Sequence, residues 1–155
     1  MVVRLSRDEA RARALEIAER WIGTPYRHQA SRKGVGCDCL GLMLGIWREL
    51  YGETVPARLT YSPDWAETSR GEPLLDALRA RCGELVLSEM RPGDIIAFRW
   101  QPGAAAKHLA LLAPENRIIH ANEGHAVTAS AFVPSWRRRV AGVFAFPATI
   151  VPSRQ

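Results

Sequence analysis

Cysteine and histidine are the residues here whose types and spacing could do chemistry. The stretch GVGCDCLGLMLGIWRELYG, residues 34–52, brackets Asp38 with Cys37 and Cys39 and then runs into an apolar helix. Cys39 falls in the first turn of that helix and Asp38 at its N-cap, where a short acceptor side chain can take the free backbone N–H groups. Those N–H groups favour a thiolate, but only by about 0.3–1 kcal/mol, too little to ionise a thiol whose ordinary pKa is about 8.5. Asp38 opposes even that. A nucleophile at this place needs a histidine, and the chain has four: His28, His108, His120 and His125.

His108 opens the β-type run HLALLAP and His120 closes the run RIIHAN. A hairpin centred on Pro114 places the two directly opposite on one face, whereas a slip of one residue sends them to opposite faces. The favourable register gives a nucleophile, a base and an orienting group: Cys39, His108 and His120. His28 and His125 read as surface loop residues. Cys37 and Cys82 read as small buried side chains, because a free cysteine packs like a hydrophobe. A zinc site built from Cys37, Cys39, Cys82 and a histidine is a third reading. It lacks any C-x-x-C pair, and no metal is expected.

The elements that must position these groups follow from periodicity and punctuation. Residues 6–22 predict a first helix, with Ser6 and Glu9 as a capping box, Ala10, Ala14, Ile17 and Trp21 as its stripe, and Gly23 as its stop. Residues 38–51 predict a second, apolar nearly all round and therefore central, closed by Gly52. A loop over 53–72 carries prolines and aromatics, and loops of that length are more often functional than idle. A short helix follows at 73–82, with Leu74, Leu75 and Leu78 facing in. Then the texture changes to short β-type runs: GDIIAFRW, KHLALLAP, RIIHAN, AVTASAF and VAGVFAF. Helices first and an antiparallel sheet after them give an α+β fold, with residues 1–155 as one domain.

Composition narrows the classes. The chain is 47% hydrophobic and 24% charged with a formal charge of +5, as in a globular protein whose basic surface serves solubility or, as the other reading, contact with polyanions. The one dense basic run, WRRRV, is too short for a nucleic-acid footprint, and no apolar run reaches membrane-span length. Three cysteines do not suggest a disulfide framework. The N-terminus lacks the apolar centre of a secretory signal, so the expected site of synthesis is the cytoplasm, without signal-peptide export.

WIGTPYRHQ, GCDCLGLM, RPGDIIAF, KHLALLAPENRIIHAN and VAGVFAF follow one another as in the NlpC/P60 cell-wall peptidases, a resemblance spanning about residues 10–147. VPARLTYSPDWAE further resembles the branch of that family found in phage tails and gene transfer agents. The resemblance implies a papain-like α+β fold and a cysteine endopeptidase that cuts the γ-D-glutamyl–diaminopimelate bond of peptidoglycan stem peptides without a cofactor. It implies Cys39 as nucleophile, His108 as base and His120 as orienting residue. Tyr26 matches a tyrosine near the nucleophile that assists the oxyanion or substrate. Asp38 matches a residue that in some members meets the substrate amine, with helix capping as its other role. The partners implied are stem peptides and phage-like tail proteins, with no nucleic acid and no membrane, and the place is a virion or tail acting on the wall. An amidase using the same triad, a papain-like acyltransferase and a structural tail component are the alternatives. Two residues depart from the family pattern. Leu40 stands where serine is commonest, and Lys107 precedes His108, where its charge would disfavour the imidazolium.

Overall fold

The computed structural model describes residues 2–52 and 71–152. Strand β1 (Val2–Leu5) leads into helix α1 (Arg7–Trp21), capped by Ser6, whose hydroxyl accepts from the Glu9 N–H at 3.1 Å. The predicted stripe of Ala10, Ala14, Ile17 and Trp21 is buried, together with Ala18. Two short strands, β2 (Ser31–Arg32) and β3 (Gly36–Cys37), fold the polar segment back on itself before helix α2 (Cys39–Tyr51). Gly52 closes α2 in the left-handed region at φ 70°. The expected loop at 53–72 lies almost wholly outside the described residues. Helix α3 (Pro73–Arg81) buries Leu74, Leu75 and Leu78, as their spacing predicts.

The sheet is built from β4 (Gly83–Leu85), β5 (Ile95–Phe98), β6 (His108–Ala113), β7 (Arg117–His120), β8 (Thr128–Ala131) and β9 (Val140–Ala145). Its order is β4-β9-β5-β6-β7-β8 and its described pairings are antiparallel. Helix α4 (Pro134–Arg137) joins β8 to β9, and β10 (Thr149–Pro152) pairs with β1. Strand alternation splits the apolar residues by face. Ile95, Ala97, Leu109, Leu111 and Ile119 join the core with α1, α2 and α3. Ile96, Phe98, Ala110, Leu112 and Ile118 form a second cluster on the other face with Phe132, against which Trp136 packs.

The hairpin differs from the sequence expectation in register. Leu111 pairs with Ile119 and Ala113 with Arg117, so the turn is the three residues Pro114, Glu115 and Asn116 and its centre is Glu115. Glu115 and Asn116 both take positive φ, 63° and 57°, while Pro114 supplies the fixed entry angle. His120 therefore faces the position of Ala110, and His108 is its diagonal neighbour rather than its direct partner. An offset of two residues preserves the face, so the two histidines still share one.

Close approach around α2 depends on two glycines one helical turn apart. A Cβ on Gly45 would stand 2.2 Å from the Trp21 indole, and one on Gly41 would stand 1.8 Å from the Ala30 carbonyl oxygen. Trp21 packs across the first site and bonds through Nε1 to Glu49 at 2.7 Å, fixing α1 on α2. A part-buried pair, Arg11 Nε to the buried Asp94 Oδ1 at 2.8 Å, ties α1 to the start of β5. In Gly41→Ala the helix-propensity gain of about 1 kcal/mol meets a backbone clash that only a shift of loop or helix can relieve. Its folding free energy, measured by urea unfolding, should fall by about 2 kcal/mol; an unchanged or raised midpoint would refute this account of the junction.

Candidate active site

Asp38 supplies the foundation. Its carboxylate is buried, with Oδ1 accepting the Gly41 N–H and Oδ2 the Gln29 N–H, both at 2.7 Å. Its own N–H reaches the Ala30 carbonyl at 3.2 Å. The cap role expected for it is therefore realised, and the same side chain clamps the preceding loop. His28 is an exposed turn residue, as expected, and its Nδ1 comes within 3.8 Å of Asp38 Oδ2.

Cys39 is the first residue of α2, and its Sγ lies 3.7 Å from the carbonyl oxygen of Lys107, the residue just before His108. The thiol thus sits against the backbone that launches β6, and no hydrogen bond joins it to the His108 ring in this state. Strand alternation places the His108 ring with Phe98 and Trp136 on the face of the second cluster, whereas Cys39 belongs to the core of α1, α2 and α3. Tyr26 bridges to Cys37 beside the helix start. Burial, then Asp38 and Cys39, push its phenol up to about 12, so it remains a neutral donor near neutrality. Cys37 is sealed in the core, and burial, followed by Asp38 and Cys39, pushes its thiol up to about 12.

His108 and His120 are joined directly, Nε2 of the first 2.8 Å from Nδ1 of the second. His108 Nδ1 is thereby left as the nitrogen for chemistry outside the pair. His120 Nε2 in turn lies 3.1 Å from the Ser130 hydroxyl on β8. Aromatic rings enclose both imidazoles. Trp100 and Trp136 stack on the His108 ring at 5.2 and 5.6 Å with tilts of 29° and 30°, and Trp136 meets His120 edge-on at 5.4 Å. Ser130, Trp100 and Trp136 escape a sequence reading aimed at titratable groups. The WRRRV run that draws attention for its charge also carries the tryptophan that covers the histidine pair.

Burial, and then His120, lower the His108 pKa to about 3; burial, and then the exposed His125, lower that of His120 to about 4. Burial rather than the neighbouring Lys107 is thus what disfavours the His108 imidazolium. Leu40 turns from the chemistry as well. It lines an apolar groove between α2 and α3 with Met43, Trp47, Leu74 and Phe146, a groove that includes none of Cys39, His108 and His120.

The depressed histidines make stability depend on pH with a definite sign. Unfolded histidines titrate near 6.5, so as pH falls below that value the unfolded chain takes up protons that the fold refuses. Their contribution is complete above about pH 6.5 and is lost progressively toward the folded values of about 3 and 4. The slope is at most about 1.4 kcal/mol per pH unit for each group. Urea unfolding should show roughly 2–4 kcal/mol less stability at pH 5 than at pH 7.5, and His120→Gln should remove about half of that difference. A pH-independent midpoint over this range would contradict the burial of neutral imidazoles.

Residues 23–144 match the NlpC/P60 family. Among curated proteins, the chain is 24% identical over 136 residues to the gamma-DL-glutamyl hydrolase of Bacillus subtilis, covering 87% of this chain and 29% of that protein. It is 27% identical over 113 residues to the probable endopeptidase NlpC of Escherichia coli, covering 72% and 61%. The chain thus spans under two thirds of the length of these relatives. Among solved structures, an NLP/P60-family lipoprotein-like protein of Staphylococcus aureus superposes with a TM-score of 0.60 at 19% identity, covering 88% of this chain and 41% of that one. The NlpC/p60 domain of the peptidoglycan hydrolase SagA superposes with a TM-score of 0.56 at 21% identity, covering 88% and 97%. With helices packed on an antiparallel sheet and a match over most of its length, the chain belongs to the NlpC/P60 family.

Proposed function

We propose that this protein is a cysteine endopeptidase that hydrolyses peptidoglycan stem peptides at the γ-D-glutamyl–diaminopimelate bond. The observation that carries the reading is a thiol on the first turn of a buried helix, set against the strand that begins with one of two hydrogen-bonded histidines. The names of the relatives, a gamma-DL-glutamyl hydrolase and a probable endopeptidase, favour this bond class.

In the proposed reaction Cys39 gives its proton to Nδ1 of His108 as sulfur attacks the amide carbonyl, since burial keeps the imidazole neutral at rest. N–H groups at the start of α2 and the neutral Tyr26 hydroxyl stabilise the oxyanion. His108 passes the proton to the departing amine, then takes one from the water that opens the thioester, while His120 keeps the ring aligned. Asp38 is assigned to the frame, because both its oxygens already hold backbone N–H groups. The resemblance of residues 55–67 to phage-tail and gene-transfer-agent relatives supports delivery of residues 1–155, acting as one domain, to the wall by a phage-like tail.

Mass spectrometry of diaminopimelate-type wall fragments tests the reading. The wild-type protein should release products cut after D-glutamate, and Cys39→Ala should lower that rate by roughly a thousandfold or more with its folding intact. Cleavage at the sugar–alanine amide would assign an amidase instead, and an active Cys39→Ala protein would remove Cys39 from the mechanism.

A further inference from the structure

The hydrogen-bonded chain does not end at the histidine pair. In the β7–β8 register Ile118 faces Ser130 and His120 faces Thr128, so Ser130 is diagonal to His120 on the face that also holds His108. Both ring nitrogens of the buried His120 are engaged, one at 2.8 Å by His108 Nε2 and the other at 3.1 Å by the Ser130 hydroxyl. Such a chain has two self-consistent proton arrangements. In the first, His108 Nε2–H donates to His120 Nδ1, His120 Nε2–H donates to Ser130, and His108 Nδ1 is bare. In the second, Ser130 donates to His120 Nε2, His120 Nδ1–H donates to His108 Nε2, and the proton of His108 is forced onto Nδ1. Only the first leaves His108 able to accept a proton from Cys39.

We propose that Ser130 is a positioning residue that accepts the Nε2–H of His120 and thereby holds His108 in the tautomer with a bare Nδ1. This rests on the reading of His108 as the proton carrier. Removing the hydroxyl would leave His120 with a buried N–H and no acceptor at Nε2. A buried imidazole avoids an orphaned donor by carrying its proton on the other nitrogen. That move reverses the chain and blocks Nδ1 of His108. Threonine keeps the hydroxyl and the direction of the bond.

Long-range proton–nitrogen correlation spectra at pH 7 read the protonated nitrogen of each imidazole directly. The wild-type protein should show both His120 and His108 protonated at Nε2. Ser130→Ala should shift both toward Nδ1 and lower kcat on wall fragments by roughly ten- to a hundredfold with KM little changed; Ser130→Thr should restore both readouts. A wild-type His120 protonated at Nδ1 would overturn the proposal, as would a Ser130→Ala protein with unchanged tautomers. The wild-type spectrum decides even where the alanine variant does not fold. If the wild-type protein cuts no wall fragment, the hydrolase reading fails while the spectra still decide the wiring.

Discussion

The carboxylate of Asp38 is 1% exposed and holds two backbone N–H groups, one from the loop that precedes it and one from the first turn of α2. Burying a carboxylate costs several kcal/mol, and each charge-assisted hydrogen bond returns about 1.5–3. The two bonds, with the positive end of the helix, do little more than offset the desolvation. The net effect is positional rather than stabilising. The loop carrying Tyr26, the start of α2 and Cys39 are fixed relative to one another, and Gly41 permits it by having no Cβ to meet Ala30. The second anchor is Trp21, which packs across Gly45 and sets α2 on α1. With the helix pinned at both places, its N-terminus meets the backbone at the start of β6.

Local rules made the helical half of this arrangement readable from sequence. Ser6, Asp38 and Gly52 act at the predicted caps because capping is settled within one helical turn. The apolar circumference of α2 announced a central helix for the same reason. The hairpin was readable only as far as side-chain parity goes. Parity places His108 and His120 on one face for any even offset, whereas the pairing depends on how Pro114, Glu115 and Asn116 share the turn. Ser130 and Trp136 depend on pairings made further along the sheet, and their own residue types carry no warning of chemistry. The β1–β10 pair joins the two ends of the sequence, and no local pattern in strands this short signals a partner so distant.

Two electrostatic influences of unequal size meet at the thiol. The start of α2 favours negative charge on sulfur by about 0.3–1 kcal/mol. Burial acts on His108 far more strongly, since a fall from 6.5 to about 3 corresponds to roughly 5 kcal/mol against the imidazolium. The His108 imidazole is therefore neutral at rest, and in the proposed reaction it takes up charge only as sulfur attacks. The groups the proposed reaction would then draw on are the N–H groups of the helix start and the Tyr26 hydroxyl for the oxyanion, and His120 for the imidazolium. The indoles of Trp100 and Trp136 stack on the His108 ring at tilts of 29° and 30°, and an indole face attracts a cation. The same enclosure that disfavours charge on His108 also sets two indoles against its ring, and these offset part of the burial cost as the proposed reaction develops that charge.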